Sequence, residues 1–275
     1  MKKLSIVSCA IIILSVLSTC KKNDPSPDTN CTDINLFSLS QDRQLGAQFD
    51  IQILTNDTLK AQYPLLDSVQ YAAAYGHLKR ITNNILNSGK VVYKDEFAWK
   101  VRIIRDDNTL NAFCTPGGYI YVFTGIIKYL DNEDDLAGVM GHEIGHADQR
   151  HSTDALVKQQ TAGVVLQLLS GGNPGLITKI LTNLTFLQYS RCHEKESDEA
   201  SVTYLSGTGY RCNGAARFFE KIQAEGGTRT PEFLSTHPDP GNRVEAINNK
   251  AKSLNCNIST NNPAGQYQEF KNSLP

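Results

Sequence analysis

Three of the chain's six histidines fall within GVMGHEIGHADQRH, Gly138 to His151. His142, Glu143 and His146 fit the pattern H-E-x-x-H. On a helix, positions four apart share a face with Cβ atoms about 5–6 Å apart, so both imidazoles can reach one zinc ion. Glu143 then lies beside the metal's open position, where it can take a proton from water. Two histidines alone hold zinc weakly, so the fold must bring a third ligand to this helix from elsewhere in the chain. No other feature restricts the fold as much.

The acidic, helical SRCHEKESDEA, Ser190 to Ala200, is the strongest supplier of that ligand. Two registers compete. Glu194 with Asp198 puts a second carboxylate four residues on, on the same face, where it can orient a metal-bound imidazole. Glu196, with Glu199 or Ala200 behind it, has no comparable partner at the next turn.

The first residues read as a targeting segment: Lys2 and Lys3 form a positive start, and Leu4 to Leu17 is almost wholly apolar or small. That run is shorter than the roughly 20 residues a membrane helix needs, so residues 1–19 are expected to be a signal peptide. The run ends in LSTC, similar to a bacterial lipobox in which Cys20 becomes the lipidated first residue. Thr19 departs from the residues usual there, which leaves an uncleaved anchor or a plain secretory signal as alternatives. An acylated Cys20 would hold the chain on a membrane face rather than across it. Residues 20–37, which include the polar KKNDPSPDTNCTD, read as lipid attachment and tether, and residues 38–275 as a single domain. Loss of Lys2 and Lys3 takes the formal charge from −1 to −3, so no nucleic-acid partner is expected.

Beyond Cys9 and Cys20 there remain Cys31, Cys114, Cys192, Cys212 and Cys256. An exported compartment permits disulfides, the odd count leaves at least one thiol, and no CxxC pair suggests a cysteine zinc site. Cys192 with Cys212 and Cys31 with Cys256 are candidate pairs, although spacing cannot choose between connectivities.

Leu45, Phe49 and Ile53 have helical spacing, with Ser40 as a cap, and a second helix runs from about Leu65 to Leu86. FAWKVRII (97–104) and GGYIYVFTG (117–125) read as two strands joined through the DDNTLNAFCTP loop. Asp131 or Asn132 can cap the helix that carries His142, with Glu133, Asp134 and Asp135 favourably placed in its first turn. Helical pattern then runs from about Asp154 to Leu169, breaks at SGGNPG, and resumes from Leu176 to Ser206. Further helices span Ala215 to Ala224 and start near Asn242. Two strands among roughly seven helices predict an α+β fold, mainly helical, with a small sheet.

These residues resemble the HtpX-like and prenyl-protease-type zinc metalloendopeptidases, and above all their soluble bacterial envelope branch. The family's HExxHxxxxH matches His142, Glu143, His146 and His151. Its S-R-x-x-E-x-E-A-D matches Ser190, Arg191, Glu194, Glu196 and Asp198, with Ser197 replacing the usual Ala. Its N-A-F-x-x-P-G-G-x-I-Y-V-x-x-G matches Asn111 to Gly125, and T-H-P-x-x-x-x-R matches Thr236, His237, Pro238 and Arg243. These four ordered motifs fall within the stretch from about Ser38 to Lys250.

The resemblance implies a zincin-like (gluzincin) domain with one zinc per chain, Glu194 as third ligand and Asp198 as its companion. It implies hydrolysis of internal peptide bonds in misfolded or misassembled envelope proteins, with Glu143 as general base. Gly118, Tyr119, Ile120 and Tyr121 would form the sheet edge that holds extended substrate. His237 could stabilise an oxyanion together with Arg243, or occupy the open zinc position and block it, or simply pack. His151 is expected off the metal face, and His193 and His77 away from the site. The stripe Val164, Val165, Leu168 and Leu169 is expected to be core or a partner contact. The expected location is a lipid-anchored envelope protein, on the outer membrane facing the periplasm, with protein substrates and assembly partners. The rival reading is a zinc-holding chaperone that seldom cuts, which would have no need of Glu143.

Overall fold

The computed structural model describes residue 31 and residues 34–182, 188–225, 232–239, 241–259 and 264–275. The expected signal segment and Cys20 lie outside them. The chain begins with α1 (Leu39–Thr55), α2 (Asp57–Gln62) and α3 (Ala72–Leu86), followed by β1 (Lys100–Ile104), β2 (Ala112–Thr115) and β3 (Tyr119–Phe123). Next come α4 (Thr124–Tyr129), α5 (Glu133–Asp148), α6 (His151–Gln159), α7 (Ala162–Leu169) and α8 (Pro174–Thr182). The remaining elements are α9 (Arg191–Leu205), α10 (Gly214–Ala224), the one-turn α11 (Phe233–Thr236), α12 (Arg243–Ser253) and α13 (Ala264–Asn272). The expected class, α+β and mainly helical, is the class found.

The sheet has the order β1-β3-β2, with β1 parallel and β2 antiparallel to β3. This corrects two expectations. The loop between the two anticipated strands contains a third, Ala112–Thr115, whose four residues are all buried and so lack the alternation that marks a half-exposed strand. β3 is therefore the middle strand, and Tyr119, Ile120 and Tyr121 are bonded on both sides rather than lining a free edge. Gly118 sits in the preceding turn, where its carbonyl accepts from Lys100.

Among the described residues, the sheet edge near α5 is β2, where Ala112 N donates to Asn111 Oδ1 (2.9 Å). Hydrogen-bonded pairs alternate along an antiparallel ladder. The bond from Phe123 N to Asn111 O (3.1 Å) therefore assigns Phe113 and Thr115 to the bonded pairs and turns the main-chain groups of Ala112 and Cys114 outward.

Side chains on opposite faces of the sheet enter two cores. Ile120 and Val122 join α3, α5, α9 and α10, while Phe113, Tyr121 and Phe123 join α1, α6, α7 and α8. Phe113 and Tyr121, partners in register, stack with centroids 4.8 Å apart. In the second core Val165 and Leu168 are buried, with Val164 and Leu169 packed at its margin.

Helix α5 is buried over its whole length. Asn132 caps it by accepting from Asp135 N at 3.1 Å, and Glu133 is bound by both Arg80 nitrogens (2.5 and 2.6 Å). At its far end Asp148 accepts from Val92 N, Tyr93 N and Tyr204 Oη. Two glycines let other helices approach closely: a Cβ on Gly138 would lie 2.0 Å from Ala215 N, and one on Gly141 2.7 Å from Ser201 Oγ.

The cap of α1 is Ser38, in a reciprocal pair with Gln41, rather than Ser40. The expected helix from Leu65 starts only at Ala72, because Leu66 N is engaged by Ile103 O (2.8 Å). Among the described residues the disulfides are Cys31–Cys192 and Cys212–Cys256, in place of both candidate pairs, and Cys114 is a free, buried thiol. Residue 31 is thus stapled to α9, and Ile34 N is held by Asp154 (2.7 Å), within the stretch anticipated as tether. No helix among the described residues is long and apolar enough to cross a membrane.

Candidate metal centre

Four chain segments meet at one buried point. α5 brings His142, Glu143 and His146, α9 brings Glu194 and Asp198, the end of α11 brings His237, and the start of α12 brings Arg243. One ligand atom each from His142, His146, Glu194 and His237 lie within 4.8 Å of one another. His142 Nε2 is 3.0 Å from His146 Nε2 and 3.4 Å from Glu194 Oε2, while His146 Nε2 is 3.3 Å from Glu194 Oε1. His237 Nδ1 is 3.1 Å from Glu194 Oε1 and 3.3 Å from His142 Nε2.

The donor set fits zinc. Bond lengths of 2.0–2.1 Å in a tetrahedron space the ligand atoms about 3.3 Å apart, close to the separations observed. Both Glu143 carboxylate oxygens and His237 Nε2 are buried without a hydrogen-bond partner, and buried polar atoms of that kind call for an explanation.

The carboxylates are fixed from behind. Asp198 Oδ1 faces His142 Nδ1 at 2.9 Å, and Arg243 donates from Nε to Asp198 Oδ2 (2.7 Å) and from Nη2 to Asp198 Oδ1 and Glu194 Oε2 (both 2.9 Å). Arg243 is thus clamped on two carboxylates, although the sequence reading paired it with an oxyanion. Its Nη1 has no partner, and its guanidinium lies 4.2 Å from the centre of the Phe219 ring.

Burial alone would hold His142 neutral, but hydrogen bonds to Asp198 and Glu194 outweigh it and raise the imidazole to about 9. Burial dominates at His146 and keeps it neutral, well below the usual range. It also raises Glu143, against the pull of His237 and His142. Glu194 goes the other way, because His237, Arg243 and His146 overcome its burial and hold it ionised.

The Peptidase family M48 model matches residues 72–251, about two-thirds of the chain and the whole of this site. The chain belongs to peptidase family M48. Relatives of this M48 chain include the Mitochondrial metalloendopeptidase OMA1 of Arabidopsis thaliana, 33% identical over 54% of this chain and 31% of the relative. The Beta-barrel assembly-enhancing protease of Escherichia coli K12 is 28% identical over 84% of this chain and 48% of its own length. The Putative beta-barrel assembly-enhancing protease of Vibrio cholerae is 26% identical over 89% and 51%. The chain spans 31% to 51% of the length of these relatives.

The M48 site also contains residues that sequence reasoning passed over. Tyr189 stacks on His146, with centroids 3.7 Å apart and 15° between the planes, and its hydroxyl meets Ser152 Oγ at 2.9 Å. It directly precedes Ser190, the cap of the ligand helix α9, and that position was the available signal. Phe233 stacks on His237 at 4.2 Å. His151, expected off the metal face, is buried with its Nδ1 3.0 Å from His146 Nδ1. The reversal has a local cause: Arg150 is left-handed (φ 62, ψ 28), which ends α5 and turns the chain back. His193 stacks on His151 at 4.3 Å, and His77 lies remote, against Phe270.

Proposed function

We propose that this chain is a zinc-dependent endopeptidase that cuts internal peptide bonds of misfolded or misassembled cell-envelope proteins. One observation carries the reading: three ligand-type side chains and His237 converge on one point, with the unpartnered, buried Glu143 carboxylate beside it. Zinc held by His142, His146 and Glu194 supplies Lewis acidity toward water and toward the scissile carbonyl. Glu143 takes the proton of the attacking water and returns it to the leaving amine, and its burial raises its basicity for that task. Asp198 holds the His142 ring in place, with Arg243 behind it. The outward Ala112 carbonyl and the Cys114 main chain would form the edge to which an extended substrate pairs, with Ala112 N already taken by Asn111 Oδ1 (2.9 Å).

In this conformation the site is shut. His237 is fully buried among the ligand atoms, Tyr189 N donates to Thr236 O (3.3 Å), and Phe233 N donates to Leu110 O (3.2 Å), two residues before β2. Helix α11 thus covers both the metal position and the substrate edge, which favours His237 as a block that substrate displaces over an oxyanion-binding role. The envelope setting is supported by the likeness to the beta-barrel assembly-enhancing proteases and by two disulfides, which persist in oxidising compartments. An acylated Cys20 would supply the anchor, facing the periplasm from the outer membrane.

The test is zinc content and casein cleavage by wild type, E143Q and H237A. About one zinc per chain in all three, with cleavage abolished in E143Q alone, supports the proposal. No zinc in wild type ends it. Zinc without cleavage, even in H237A, moves the chain to the chaperone class. Mass spectrometry of Cys20 after expression with its leader tests the anchor.

A further inference from the structure

We propose that His151 is a positioning residue for the metal site, holding His146 in its metal-binding tautomer and tying that tautomer to Glu196 near the surface. The inference rests on the metallopeptidase reading and extends it to a side chain outside the ligand group.

A histidine that binds a metal through one nitrogen carries hydrogen on the other, and that hydrogen needs an acceptor that fixes the ring. The two helix ligands meet this need differently. His142 Nδ1 faces the Asp198 carboxylate at 2.9 Å, whereas His146 Nδ1 faces a second imidazole nitrogen, His151 Nδ1, at 3.0 Å. Only one hydrogen fits between two nitrogens at that distance. His146 Nε2 points into the ligand group, 3.3 Å from Glu194 Oε1, so the hydrogen belongs to His146 and His151 Nδ1 accepts it. His151 then carries its own hydrogen on Nε2, and there the Glu196 Oε2 carboxylate oxygen stands 3.1 Å away. The chain of donors is complete and runs one way: His146 to His151 to Glu196.

The surroundings leave His151 little freedom to do otherwise. Its ring is fully buried and stacked on His193, which is held by Asp154 at 3.1 Å. Ser197 Oγ lies 3.3 Å from the same Nδ1 and packs against this side of the ring. Glu196 is the outermost member, with its side chain 35% exposed. A neutral ring behind His146 also spares this side of the site a further buried carboxylate, while the Asp198 carboxylate behind His142 is balanced by Arg243.

The experiment is zinc affinity of the full chain, read by competition with a chelator, for wild type, H151L, H151N and E196L, with metal-free melting curves alongside. Leucine fills the space without an acceptor, whereas the Oδ1 of asparagine stands near the position of Nδ1 and can accept. H151L is expected to lose affinity by about ten- to a hundredfold, H151N to recover most of that loss, and E196L to show a smaller loss. H151L at wild-type affinity overturns the inference, and so do equal losses in H151L and H151N, which is the pattern of mere packing. If H151L melts too early to assay, E196L decides from its partly exposed position: unchanged affinity there overturns the inference. A wild-type chain that binds no zinc overturns the metallopeptidase reading itself, a different result from zinc binding that ignores His151.

Discussion

His237 Nε2 stands 3.5 Å from Glu143 Oε1, and neither residue is open to solvent. The side chain that completes the ligand group therefore also sits over the carboxylate proposed as general base, where an attacking water would lie. H237A is expected to raise cleavage of unfolded protein with zinc retained. A gain of about tenfold corresponds to a wild-type site open one-tenth of the time. Equal or lower turnover in H237A, measured at saturating substrate, removes the blocking role.

E143Q keeps the size and burial of the glutamate but cannot accept the proton. Zinc content is expected to stay at the wild-type level, and turnover to fall by about 10²–10⁴-fold, the usual contribution of a positioned general base. Residual cleavage near the wild-type rate would show that another group deprotonates water.

Arg243 is locked to Asp198 and Glu194, both buried. R243A leaves two buried carboxylates without their cation, and removal of one partner from such a set costs on the order of 3–5 kcal/mol. Urea unfolding of the metal-free chain measures this. A variant as stable as wild type that still turns over slowly would return Arg243 to direct work on substrate.

Asp135, in the first turn of α5, is raised to about 6, mainly by burial, with Arg211 and Arg217 pulling against it. Below its unfolded pKa, the carboxyl is protonated in both states. Between that value and about 6 the folded state binds the extra proton, so stability falls as pH rises through the window and levels off above it. D135N has no such proton. Wild-type stability relative to D135N is expected to drop by on the order of 2–3 kcal/mol from pH 4 to pH 7 in metal-free protein. A difference that does not change with pH contradicts the raised value.

The ligand helix and the Glu194 register could be read from the sequence, because helical periodicity determines which side chains share a face, while the cap was narrowed only to Asp131 or Asn132. His142 with His146, and Glu194 with Asp198, are each four apart, and that spacing survives into the structure unchanged. What escaped depends on chain reversals. His151 stays outside the ligand group, as its spacing suggests, but its contact with His146 Nδ1 lay beyond a left-handed residue that extrapolation of α5 does not foresee. Strand order escaped for a similar reason: β2 is too short and too fully buried to alternate, and without it β3 looks like an edge. The disulfides follow only from where the fold brings residue 31 beside α9 and from the packing of α10 and α12 against each other. Tyr189 was passed over because its one signal, its place beside the cap of α9, is not a metal-ligand signature.

The glycine contacts along α5 have a mechanical consequence. With Gly138 against Ala215 and Gly141 against Ser201, the helix has no room to slide past α10 or α9 without main-chain collision. The two ligand-bearing helices therefore behave as one stiff block, so motion at the site is left to α11. That turn is attached through two long main-chain bonds, Phe233 to Leu110 and Tyr189 to Thr236, and through the packing of the Phe233 ring on Phe218 and Phe219. Amide hydrogens at its end should accordingly exchange through local opening, at a small fraction of the free energy that protects the middle of α5. Admitting a substrate strand is then a question of how often one helical turn lifts off, with the metal geometry left intact.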